Sequence, residues 1–129
     1  MGFSPSLFTT VLVIAGTVVC LPARAADAER GKELYESRCI GCHSIDANRV
    51  GPAHKGVYGR KAGAVPDYDY SPALKRAKIV WNTKTLDRWL KNPAALVPGT
   101  KMGFVVPEAK DRADLVEYLK SQSPKEAAR

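Results

Sequence analysis

The pentapeptide Cys39-Ile40-Gly41-Cys42-His43 constrains this chain more than any other feature. A C-x-x-C-H run is the pattern at which haem is attached covalently: the two thiols add across its vinyl groups, and the adjacent histidine reaches the iron as an axial ligand. Two other chemistries share part of the pattern. A thiol-disulfide pair also uses C-x-x-C, but it calls for an alternation of strands and helices that this sequence lacks. A closed zinc site needs four ligands. Beyond the apolar N-terminus only Cys39, Cys42, His43 and His54 are on offer, and adjacent Cys42 and His43 are poor partners on one tetrahedral metal. One haem c, covalent through Cys39 and Cys42, is therefore the expected cofactor.

The N-terminus sets the compartment. Residues 7–21 are almost wholly apolar, a run of 15, and they lead into Pro22-Ala23-Arg24-Ala25, an A-x-A cleavage pattern. The run is short of the roughly 20 residues a spanning helix wants, so a cleaved leader over residues 1–25 is favoured over a retained anchor. Residue 19, directly before Cys20, is Val, where a lipoprotein signal wants a small residue. Residues 26–129 then form a single domain carrying 19 basic and 13 acidic side chains, a net +6. Two ionised haem propionates would leave about +4, enough to bias encounters toward acidic surfaces. An exported chain makes nucleic acid an unsuitable partner. With both remaining thiols committed, no disulfide is available, and 104 residues hold a small apolar complement. A large flat apolar group supplies the missing core.

Short helices separated by loops are expected along the domain. Asp27 caps a helix to about Arg38, with Gly31, Leu34 and Tyr35 on one face. A glycine inside a helix costs roughly 1 kcal/mol against alanine, which points to a close approach by another backbone, with the C-terminal helix as the visitor. From Ser44 to Asp69 no apolar period survives, and a long wrapping loop is expected. Ser71-Pro72 starts a helix ending near Ala77. Thr83 caps the next, with Leu86, Trp89 and Leu90 inward, and Asn92-Pro93 stops it before one further turn. The last helix spans about residues 110–121, with Leu115, Tyr118 and Leu119 inward and its charges on the opposite side; the tail 123–129 frays.

An iron bound by His43 has a sixth position, and its occupant decides between electron transfer and gas or peroxide chemistry. Met102 is the one methionine left after leader removal. It follows the rigid turn Pro98-Gly99, which can aim its side chain inward from a loop. A thioether is a soft ligand that favours the reduced metal, so His43 and Met102 together imply a raised potential and a carrier. His54, 11 residues past His43, is expected on the His43 side of the ring.

The motifs, taken in order, are Cys39-Ile40-Gly41-Cys42-His43, Gly51-Pro52, Gly59-Arg60-Lys61, Tyr68-Asp69-Tyr70, Ile79-Val80-Trp81, Asn92-Pro93 and Pro98-Gly99-Thr100-Lys101-Met102. With these the chain resembles the class I c-type cytochromes of the mitochondrial and bacterial c2 type over about residues 28–121. The resemblance implies an all-α, small cytochrome c fold, with four to five short helices and long loops wrapped around one covalently bound haem. It also implies that the Pro52 carbonyl accepts from the ligand histidine, that Tyr70 and Trp81 donate to a haem propionate with Arg60 beside it, that Thr100 joins that shell, and that Trp89 stands beside the methionine sulfur. The chain departs from the family pattern in several places. Leu74 replaces an asparagine, His54 replaces a leucine packed on the ring, Ala94 and Ala95 replace two lysines of a basic face, and the loop after His43 is shortened.

The resulting expectation is a monomeric, periplasmic, single-haem electron carrier and not an enzyme. Its partners would be redox proteins such as a quinol-oxidising complex, a dehydrogenase or a terminal oxidase or reductase, met through acidic surfaces by a rim of Arg38, Lys55 and Lys101. No stable membrane insertion is expected once the leader is removed. The rival expectation is a haem subunit or N-terminally anchored module of a respiratory dehydrogenase or oxidase complex.

Overall fold

The computed structural model describes residues 1–2 and 24–124. Most of the expected leader, and residues 125–129 of the expected frayed tail, lie outside the described residues. Five helices follow in order: α1 (Ala28–Arg38), α2 (Pro72–Arg76), α3 (Thr83–Lys91), α4 (Pro93–Leu96) and α5 (Ala109–Ser121). Among the described residues no strand forms; Lys61 and Val80 make one isolated antiparallel bridge. The fold is all-α, with the expected long loop between α1 and α2.

Helix ends follow local chemistry. The Asp27 carboxylate accepts from the amides of Glu29 (3.0 Å) and Arg30 (3.2 Å), and Ser71 accepts from Leu74 N (3.1 Å) ahead of Pro72. These side chains satisfy donors that the first turn leaves orphaned. The cap of α3 is Asn82, not Thr83. The Asn82 side chain accepts from Thr85 N (3.0 Å), while Thr85 Oγ1 accepts from Asn82 N (2.8 Å). Capping at Asn82 puts Thr85 at the third helical position, where its hydroxyl closes the box in return, whereas capping at Thr83 would put Leu86 there, which cannot. Asn92 closes α3 and caps α4 through Ala95 N.

The core is the crossing of α1 and α5, with α3 packed against α5. Gly31, Leu34 and Tyr35 from α1 are buried, as are Leu86, Trp89 and Leu90 from α3 and Leu115, Tyr118 and Leu119 from α5. Each large side chain contributes roughly 1.5–3 kcal/mol by leaving water. The backbone approach expected at Gly31 is present.

The charges of α5 are not all on its outer side. Asp111, Arg112 and Asp114 are buried, Asp114 completely. The Asp114 carboxylate accepts from Asp27 N (2.8 Å), Arg30 (2.5 Å) and Lys110 (2.7 Å). Asp111 accepts from Arg30 (2.5 Å) and Arg38 (2.9 Å). Apolar periodicity could not reveal this, because these carboxylates become buried only by finding partners, most of them on α1 or at its cap. Arg112 instead ties the strap that follows Met102: its Nε donates to Asp87 (2.7 Å), and its Nη1 donates to the carbonyls of Val106 (3.0 Å) and Pro107 (2.6 Å).

Candidate functional site

The C-x-x-C-H run closes α1, and its backbone turns tightly there: the amides of Cys42 and His43 both donate to the Cys39 carbonyl, at 3.1 and 2.8 Å. Arg49 reaches back to the carbonyls of Ile40 and His43, and Gly51 N donates to Cys42 O (2.8 Å). The run is thus held from the loop that follows it. Sequence reasoning had given Arg49 no role.

The His43 ring is placed by that loop. Its Nδ1 lies 2.9 Å from the Pro52 carbonyl oxygen. The carbonyl can only accept, so Nδ1 carries the hydrogen and Nε2 keeps its lone pair. A Cβ on Gly51 would come within 2.1 Å of His43 Cε1 and 2.5 and 2.6 Å of the two ring nitrogens, so only glycine lets the chain close over this ring. Burial holds His43 below its usual imidazole range, with the Pro52 hydrogen bond opposing in part. His54 stacks on the same ring, centroids 4.0 Å apart and planes 20° apart, on the His43 side as expected. Burial first, then the neighbouring His43 and Arg60, push His54 down to about 3.

All ten residues expected at the site line one cavity of about 400 Å³: Cys39, Cys42, His43, Pro52, Arg60, Tyr70, Trp81, Trp89, Thr100 and Met102. That volume lies in the range of roughly 300–1,000 Å³ usual for cofactor sites. Trp81 is fixed by paired backbone bonds, Gly59 N to Trp81 O (2.7 Å) and Trp81 N to Arg60 O (2.9 Å). Trp89, on α3, tilts against it with centroids 5.3 Å apart. Arg60 donates to the carbonyls of Lys55 (2.8 Å) and Ala53 (2.9 Å), which hold its cation in place. The Tyr70 oxygen accepts from Val65 N (3.1 Å), leaving its O–H free to donate. Thr100 Oγ1 accepts from Met102 N (3.4 Å) inside the turn that Gly99, at φ 90°, makes possible.

Tyr35 and Tyr68 also line the cavity, and sequence reasoning had assigned them no part in the site. Tyr68 donates to Val50 O (2.6 Å), and the Tyr35 hydroxyl lies 3.0 Å from His54 Nδ1. Both belong to apolar faces or quoted motifs, so the available signal was an aromatic with an unassigned hydroxyl. Of the expected rim cations, Arg38 and Lys101 line the cavity and Lys55 does not. Each has a carboxylate partner: Arg38 with Asp111 at 2.9 Å, Lys101 with Asp69 at 3.6 Å, Lys55 with Asp46 at 3.4 Å. The rim is therefore a set of ion pairs and not a ring of free cations.

The donor set suits haem and suits its rivals poorly. Burial pushes the Cys39 thiol up to about 11, with Arg38 opposing, whereas disulfide chemistry requires a lowered thiol pKa. Among the described residues no cluster of three or more His, Cys, Asp or Glu could hold a metal ion unaided. What the cavity offers is a neutral imidazole, a thioether, two thiols and an apolar, aromatic wall.

Comparison with known proteins agrees. Residues 28–123 match the sequence profile of the cytochrome c family. Cytochrome c of Euglena viridis is 52% identical over 98 residues, covering 74% of this chain and 96% of that protein. Cytochrome c type-1 of Ascaris suum is 44% identical over 102 residues, covering 77% and 91%. Among solved structures, cytochrome cH from Methylobacterium extorquens superposes with a TM-score of 0.71 at 39% identity, covering 74% of this chain and 99% of that one. The chain belongs to the cytochrome c family, single-domain electron carriers and not enzymes, whose haem c is bound covalently through the cysteine pair that is here Cys39 and Cys42.

Proposed function

We propose that this chain is a periplasmic one-electron shuttle whose haem iron is held by His43 and Met102. The observation that carries the reading is the 2.9 Å contact between His43 Nδ1 and the Pro52 carbonyl, which leaves Nε2 as the donor in a cavity that Met102 also lines. Bound there, the iron supplies a one-electron couple, and no substrate bond is made or broken.

The chain's own residues bind and orient. Pro52 fixes the His43 tautomer and strengthens its donor nitrogen. The turn at Gly99 and the strap pinned by Arg112 present the Met102 thioether, whose softness favours the reduced state. Tyr70, Trp81 and Thr100 would donate to a propionate of the bound haem, and the Arg60 cation would offset its charge; without such partners a buried carboxylate would take up a proton. Trp89 lines the same cavity as Met102 and supplies an aromatic wall there. The leader over residues 1–25 sends the chain across the inner membrane, and the mature protein begins at Ala26. It acts as a monomer between redox proteins such as a quinol-oxidising complex or dehydrogenase and a terminal oxidase or reductase.

Intact mass and optical spectra of the purified protein test the reading. One haem that survives acidified solvent extraction, a chain starting at Ala26, and a weak near-infrared charge-transfer band in the oxidised form are expected. Carbon monoxide binding to the reduced protein at neutral pH would indicate an open iron site and overturn the ligation. A retained residue 1–25 segment with stable co-purification of a membrane complex would favour the anchored-module reading instead.

A further inference from the structure

We propose that His54 is a positioning residue for the axial histidine: its imidazole, anchored by the Tyr35 hydroxyl, stacks on His43 and fixes the plane in which that ring meets the iron. The inference rests on His43 being a ligand.

The Pro52 carbonyl holds Nδ1 of His43 at one point and Gly51 closes over the ring, but a single hydrogen bond by itself leaves the ring plane some freedom. A flat neighbour against the ring removes that freedom. His54 provides one, 4.0 Å away and within 20° of parallel. Its own orientation is set at the far side, where the Tyr35 hydroxyl lies 3.0 Å from Nδ1. Tyr35 is itself immobile: it is 3% exposed, sits on α1 and packs against Tyr118 of α5 with centroids 5.3 Å apart. The orientation of the iron's histidine is thereby tied to the α1–α5 crossing through two aromatic contacts and one hydrogen bond.

Packing alone would not call for an imidazole. Putting a polar ring in an apolar wall costs free energy unless its nitrogens are bonded, and the Tyr35 bond offsets that cost. What an imidazole adds over an aliphatic side chain is a polar, polarisable face against the ligand. More polar surroundings favour the more highly charged oxidised iron, so its removal should raise the potential.

His54→Leu, His54→Phe and Tyr35→Phe, each as full holoprotein, test this through the midpoint potential and the paramagnetic shifts of the haem methyl groups in the oxidised state. All three should keep covalent haem and the Fe–S charge-transfer band. His54→Leu should change the spread of methyl shifts and lower the oxidised-to-reduced ratio at a given potential about threefold, an upward shift of about 28 mV at 59 mV per decade. Tyr35→Phe should move both readouts the same way by less, because the ring remains but loses its anchor. His54→Phe, which restores a flat face, should return the methyl pattern toward that of the parent. An unchanged potential and methyl pattern in His54→Leu would overturn the proposal and leave His54 as filler. A parent protein without a low-spin, histidine-ligated spectrum would overturn it together with the ligand assignment.

Discussion

Gly31 and Asp114 touch backbone to backbone: a Cβ on Gly31 would lie 2.0 Å from the Asp114 carbonyl oxygen and 2.6 Å from its carbon. Main chain on main chain leaves no flexible side chain to give way, so α1 and α5 can cross this closely only at glycine.

Gly31→Ala should therefore destabilise the protein even though alanine is the better helix former. The intrinsic gain is about 1 kcal/mol, while forcing the helices apart costs up to about 3 kcal/mol. A net loss of about 2 kcal/mol corresponds to a Tm lower by roughly 10 °C for a domain of this size. Thermal unfolding followed by circular dichroism checks it, and an unchanged or raised Tm would show that the helices can separate freely.

The same crossing makes stability depend on acid. Burial alone would raise the Asp114 pKa, but hydrogen bonds from Lys110, the Asp27 amide and Arg30 more than reverse this and bring it from 3.8 down to about 2. A carboxylate with a depressed folded-state pKa contributes stability that is fully present above its unfolded value and disappears as pH falls through the folded one. Stability should thus decline between about pH 4 and pH 2. Asp114→Asn should cost about 2–3 kcal/mol at neutral pH and flatten that decline. Urea melts across the acid range measure both, and a slope identical to the parent's would exclude Asp114 as its source.

Met102→Ala should keep the covalent haem, lose the near-infrared band and lower the potential, because the soft ligand that stabilises ferrous iron is gone. His43→Ala should do more harm, since it removes the ligand next to the attachment point and blocks maturation. Potentiometry with optical detection tests the pair. A Met102→Ala protein with band and potential intact would mean another group occupies the sixth position.

Lys101 lines the cavity and pairs with Asp69, which also takes Lys75 at 3.1 Å. Such exposed pairs are worth little to stability, yet they cancel much of the far field of the rim. The net +6 of residues 26–129, about +4 with two ionised haem propionates, still favours acidic partners. Electron-transfer rates with an acidic redox partner should fall as ionic strength rises, with a shallow slope set by screening over about 8 Å at physiological salt. Lys101→Glu should lower both rate and slope, because it places a second carboxylate beside Asp69. Stopped-flow rates across a salt series decide it; a rate that climbs with salt would rule out steering by this face.

How far the sequence could be read varied with the range of the interactions involved. The helix-closing Asn92-Pro93, the Ser71-Pro72 start and the Gly99 turn act within a few residues, so they were legible as local chemistry. The one misplaced cap, Thr83 for Asn82, came from two adjacent residues that both favour that position. Burial of Asp111, Arg112 and Asp114 was not legible, because a charged residue reads as solvent-facing until its partner is known. The ion pairs of the rim were not legible for the same reason: Lys101 and Arg38 are visible as cations, but Asp69 and Asp111 lie 32 and 73 residues away along the chain.

By itself the sequence determined the covalent haem chemistry and the helical class, since Cys39, Cys42 and His43 fall within five residues and helix caps act over three or four residues. The tertiary structure decided which groups surround those atoms. It set Tyr35 on His54 and His54 on His43, closed Gly51 over the ligand ring, and enclosed Asp114 with Arg30 and the Asp27 amide, 84 and 87 residues distant. The physical reason is that solvation and orientation at a buried site depend on neighbours in space, and only a folded α1–α5 crossing brings those neighbours together.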